Sequence, residues 1–127
     1  IQKYSEALVN IYEKYNTGKS VPEVLEKLTA DEENISILKE LDPITDRIKK
    51  IISELLKMQV PQSLSIPHLD LVNVSERLME NISKIKLLDN DPIVTIGAIN
   101  QYWENTVALE SAAGKLIEII RQKLSQQ

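Results

Sequence analysis

Residues 67–124 read PHLDLVNVSERLMENISKIKLL (67–88), DND (89–91) and PIVTIGAINQYWENTVALESAAGKLIEIIRQKL (92–124). In the first run Leu71, Leu78, Ile82 and Ile85 share one helical face, with Ser75 on the same stripe. In the second, Ile99, Tyr102, Thr106, Leu109, Ala113, Leu116 and Ile120 recur at steps of three and four. Both are the period of an α-helix. Asp91-Pro92 places a hydrogen-bond acceptor at the N-cap and a proline at the first helical position, where its missing N–H costs nothing. So short a connection makes the two helices antiparallel neighbours. The hairpin pairs residues whose numbers add to roughly 180. Met79 then faces Tyr102 and Trp103 in the core, and the His68 ring lies over the small residues at 111–114.

Upstream, prolines again mark boundaries. Ser20-Val21-Pro22-Glu23 reads as an N-cap, an early proline and a capping-box glutamate. Asp42-Pro43 repeats the Asp-Pro start. Val60-Pro61 and Ile66-Pro67 bracket an extended connection, because the residue before proline avoids the helical region. Ser65 is the expected N-cap of the helix that follows. Tyr4, Leu8, Ile11 and Tyr15 form one amphipathic stripe; Val21, Val24, Leu25 and Leu28 another; Ile35, Leu38 and Leu41 a third. Ile44, Ile48, Ile51, Leu55 and Met58 hold one face for four turns. The expected elements are helices over 4–16, 21–29, 32–41, 43–58, 67–88 and 92–124. No segment alternates with period two. The fold class is therefore all-α: one domain over 1–127, an antiparallel bundle of five to six helices with a long C-terminal hairpin.

Composition excludes several functions. The chain of 127 residues is 43% apolar and 27% charged, enough for one core that buries about two thirds of the unfolded surface. The net charge is −4, and no quarter of the chain is basic. The electrostatic footprint of a nucleic-acid binder is missing, as is a polybasic membrane patch. The absence of cysteine excludes disulfides and thiolate chemistry. The longest uncharged stretches, 58–69 and 92–103, fall short of the ~20 residues that span a bilayer. The chain begins at Ile1 rather than Met, so an upstream stretch is expected, the place for a signal peptide or anchor.

The chemistry-bearing residues are few. His68 is the sole histidine; one histidine cannot furnish a di-iron site, and no nucleophile elbow accompanies it. No catalytic residue, metal or cofactor is expected. His68 and Asn73 lie five apart, about 140° around a helix, so each is expected to tie its helix to a different neighbour, Asn73 through a hydrogen bond to an adjacent helix or the 60–66 connection. Asp91 and Tyr102 complete the structural polar set. Tyr4, Tyr12 and Tyr15 share a face of the first helix, which reads either as half-buried packing with wet hydroxyls or as a surface for a protein partner. The acidic run Asp31-Glu32-Glu33 suits a helix N-terminus. Three sequons, at Asn34, Asn73 and Asn81, fall in predicted helices and read as accidental.

Val60-Pro61, the tract HLDLVN at 68–73, Asp91-Pro92 and AINQYW at 98–103 resemble a helical domain of uncharacterised proteins from reduced-genome bacteria of the candidate phyla radiation, the Patescibacteria. The likeness covers about 60–120 and rests on Pro61, His68, Asn73, Asp91, Pro92 and Tyr102; only the tyrosine-bearing first helix is similar upstream. The resemblance implies a location outside the cytoplasm, behind an N-terminal hydrophobic segment, and no reaction. The bias of 12 Lys to 3 Arg suits an AT-rich genome. The expectation is a non-enzymatic structural or protein-interaction domain at the cell envelope. Two other readings stand beside it: a cytoplasmic adaptor docking through its tyrosine face, and a ligand-binding or enzymatic bundle with a pocket near His68.

Overall fold

The computed structural model describes residues 1–16, 18–30, 35–87 and 92–126. Five α-helices follow in order: α1 (Gln2–Lys14), α2 (Val21–Ala30), α3 (Asp42–Lys57), α4 (Ser65–Ile85) and α5 (Pro92–Ser125). Two 3₁₀ segments, Ile35–Leu41 and Gln62–Leu64, precede α3 and α4. Among the described residues there is no strand, so the all-α expectation stands. No described helix is long and apolar enough to cross a membrane.

The α4–α5 hairpin is the most extensive contact in the molecule. Asn81 Nδ2 donates to Gln101 Oε1 at 3.0 Å, and Thr95 Oγ1 donates to the Lys84 carbonyl at 3.4 Å, which is the anticipated register. Two apolar clusters lie along it. At the open end, Tyr4, Leu8 and Ile11 of α1 meet Ile52 and Leu55 of α3, Leu71 and Val72 of α4, and Leu116 and Ile120 of α5. At the turn end, Val21 and Val24 of α2, with Leu38 and Leu41, pack on Ile44, Ile82, Ile85, Ala98 and Tyr102. Ile48 of α3 touches both. Between α1 and α2, Gly18 has φ +91, a left-handed conformation that glycine adopts without a Cβ clash. The Arg47 guanidinium donates to the neighbouring Lys19 carbonyl at 3.0 Å. Glu40 holds Lys19 and Lys27 together, the latter at 3.1 Å.

Several boundaries differ from expectation. The segment expected as a helix over 32–41 is a 3₁₀ turn over Ile35–Leu41; residues 31–34, with the acidic run and Asn34, lie outside the described residues. The spacing already contained the reason. Positions 35, 38 and 41 repeat every three residues, which is the 3₁₀ period. Leu41 is itself helical (φ −76, ψ −21), so the chain enters α3 without a cap. Asp42 is thus not the N-cap but the first residue of α3, and its carboxylate pairs with Lys86 at 2.7 Å. Ser65 likewise opens α4 inside the helix, its hydroxyl turned back to the Gln62 carbonyl at 2.8 Å. Ser20 is the cap that forms as read, accepting from the Glu23 N–H at 3.4 Å.

The hairpin's faces are rotated from the expected ones. Met79 packs on the open-end cluster while Tyr102 belongs to the turn-end cluster with Ile82 and Ile85. Trp103 is not core but half exposed, because consecutive helical residues point about 100° apart and Tyr102 takes the inward position. Leu116 is fully buried where α5 meets α1 and α4. Leu116→Ala should therefore cost about 2–5 kcal/mol and Met79→Ala, half buried, clearly less. Urea unfolding checks the order; a larger loss at Met79 would mean that the faces are assigned wrongly.

Candidate functional site

The buried polar centre of the molecule joins three helices. The His68 ring, on α4, is 7% exposed and lies between Tyr4 of α1 and the end of α3. Its Nε2 is 2.9 Å from the Leu55 carbonyl. A carbonyl only accepts, so Nε2 carries the proton and Nδ1 is left as an acceptor. The Tyr4 hydroxyl, 2.7 Å away, then donates to Nδ1, and the rings meet edge to face at 5.5 Å. Leu55 is in the last turn of α3, where carbonyls lack helical partners; this one also receives the Met58 N–H at 3.3 Å. Both ring nitrogens are occupied. The partners of His68 are α1 and α3, and not the small patch expected at 111–114.

The tyrosine face is correspondingly not a free surface. Tyr4 is 3% exposed, and its hydroxyl is pushed up to about 12, first by burial and then by Tyr12 nearby. Tyr12 is half buried beside Ser75, and its hydroxyl has no hydrogen-bond partner among the described residues; burial raises it. The Ser75 hydroxyl is turned to the Leu71 carbonyl at 2.8 Å. Tyr15 is half buried, its ring 5.2 Å from the Lys14 ammonium, and the Glu54 carboxylate beside it holds its phenol up. The stripe Tyr4, Leu8, Ile11 packs inward because α1 has only one apolar face and the open-end cluster takes it. An adaptor reading built on Tyr4 loses its surface.

The remaining polar candidates redistribute. Asn73 is exposed, not a buried tie; it lines an open groove of about 560 Å³ with Asp70, Arg77, Glu80, Ser111 and Lys115. The groove adjoins the small patch, but His68 is not part of it. The buried amide is Asn81, 4% exposed, whose Oδ1 has no hydrogen-bond partner among the described residues. Tyr102 is buried, with Trp103 edge-on at 5.1 Å. Asp91 lies outside the described residues. Among the described residues no three His, Asp or Glu side chains converge as a metal site would need.

One surface feature went unread in the sequence. Ile93, Ile96, Trp103, Val107 and Ile117 of α5 are all exposed, from 82% at Ile93 to 51% at Ile117. With Asn100, Glu110 and Gly114, also exposed, they form an unbroken ladder of alternating three- and four-residue steps along eight positions. That ladder has the spacing of a coiled-coil seam. It runs into an apolar groove of about 440 Å³ between α1 and α5, lined by Leu8, Val9, Tyr12, Ala113 and Ile117. The signal was present: α5 has more apolar residues than one face can hold, and only the inward set was assigned.

The polar link makes a prediction at high pH. Below about pH 10 the Tyr4 phenol is neutral in both the folded and unfolded chain, and the fold keeps its full stability. Between pH 10 and 12 the unfolded chain ionises first, so stability falls as pH rises. Tyr4→Phe should lower stability at neutral pH by about 1–3 kcal/mol, since it leaves His68 Nδ1 unpaired. It should also make the decline between pH 10 and 12 shallower. Denaturation across that range checks both; an unchanged slope would show that Tyr4 is not the buried phenol.

No family model, curated protein or solved structure matches the chain.

Proposed function

We propose that this chain is a non-enzymatic protein-interaction domain that docks a partner helix on the outer face of α5. The observation that carries the reading is the exposed seam Ile93, Ile96, Trp103, Val107 and Ile117. Scattered apolar residues are normal on a surface, but five exposed large apolar side chains aligned on one helical face mark a contact site. A knobs-into-holes ladder further specifies that the partner presents a helix. The occupied nitrogens of His68 support a structural role for the one imidazole. A position at the bacterial cell envelope is part of the proposal and rests on the resemblance of residues 60–120 to the Patescibacterial domain.

A photo-crosslinking amino acid placed at Trp103, in the native host, should give a discrete protein adduct. The same group at Lys50, on the exposed side of α3, should not. Adducts to the chain itself or to another protein both support the reading. Equal labelling at the two positions, or none at Trp103, would overturn it.

A further inference from the structure

We infer that the occupant of the α5 seam is a second copy of this chain, docked antiparallel about a twofold axis beside Asn105. The inference rests on the reading of α5 as a docking face and names its partner. In this register Ile93 of one copy meets Ile117 of the other, Ile96 meets Gly114, Asn100 meets Glu110, and Trp103 meets Val107. Each pair recurs on the opposite side of the axis, as a twofold interface requires. Apolar residues thus face apolar or small ones. The two polar positions face each other, with the Asn100 amide able to donate to the Glu110 carboxylate. Polar groups in an apolar seam fix register in this way. A parallel arrangement would instead set Glu110 against Glu110.

Shape agrees with chemistry. Nothing lies within 4 Å of a Cβ built on Gly114, leaving room for the partner's Ile96. Ile93, the most exposed of the large apolar side chains, meets Ile117, which forms a wall of the apolar groove between α1 and α5. Complete burial of the five apolar residues would remove at most about 600 Å² per copy, or roughly 1,200 Å² across the pair, against the ~1,000 Å² of a specific interface. The net charge of α5 does not oppose the pairing. Although the chain carries −4, α5 balances Glu104, Glu110 and Glu118 with Lys115, Arg121 and Lys123. The two Glu104 side chains fall near the axis on the rim, where water screens them.

The absence of cysteine makes the register directly testable. Sedimentation of the unmodified chain should give a dimer at about 100 μM. A mixture of Asn100→Cys and Glu110→Cys chains should oxidise to the mixed disulfide, with Asn100→Cys alone remaining unlinked. Its two copies would sit ten residues apart along the helix, about 15 Å, against the ~7 Å limit between Cα atoms. Both positions are exposed, so neither change threatens the fold. Self-linking of Asn100→Cys would overturn the antiparallel register. A monomer at every concentration would overturn self-association and leave the docking reading standing; that reading fails separately, if a crosslinker at Trp103 finds no protein.

Discussion

Everything in this molecule hangs on the packing of α5 against α4. An isolated helix gains little in water, because nucleation is costly and each added residue contributes little. A long antiparallel pair gives both helices an apolar neighbour along their length. Ala98 and Tyr102 meet Ile82 and Ile85 at one end, and Leu116 and Ile120 meet Leu71 and Val72 at the other. The shorter elements then attach as two caps on one spine. Helices α2 and the 3₁₀ turn close the turn end, α1 closes the open end, and α3 spans the two through Ile48. Each fully buried leucine or isoleucine contributes about 1.5–3 kcal/mol relative to exposure, against an ordering cost of similar total size.

Apolar burial alone does not say how α1 is oriented on that spine. The Tyr4–His68–Leu55 link does. It joins a phenol, an imidazole and a helix-end carbonyl in one order, since the carbonyl dictates the imidazole tautomer and the tautomer dictates the phenol's role as donor. Rotating α1 by one residue would strand buried donors and acceptors, a penalty larger than the bond itself contributes. The small core at this end thereby acquires a unique arrangement.

The helices were legible because period, proline and Asp-Pro punctuation agree along the chain. Faces were harder. The register sets Met79 near Tyr102, yet the two side chains join different clusters, and spacing alone does not resolve which cluster each enters. The 35–41 segment was misread because a three-residue repeat fits either helix type over so short a run. The partner of His68, Tyr4, lies 64 residues away, and long-range pairing leaves no mark in local pattern. Asn73 and Asn81 are alike in sequence; only the fold distinguishes the exposed amide from the buried one. The outer seam of α5 was overlooked for the opposite reason. The inward stripe alone accounts for a hairpin, and the surplus isoleucines and valine fall outside it.

In α5 the inner apolar face builds the fold, and the outer one is the face proposed to hold a second copy. The single tryptophan sits on the outer face, half exposed in the isolated chain. Its fluorescence read across a dilution series tests this most directly. Self-association predicts a red-shifted, water-exposed emission at nanomolar concentration that moves to the blue as the protein is concentrated, with no change in helix content. An emission that stays blue at every dilution would place Trp103 in the monomer's own core, and one that stays red at every concentration would leave the outer face without a second copy.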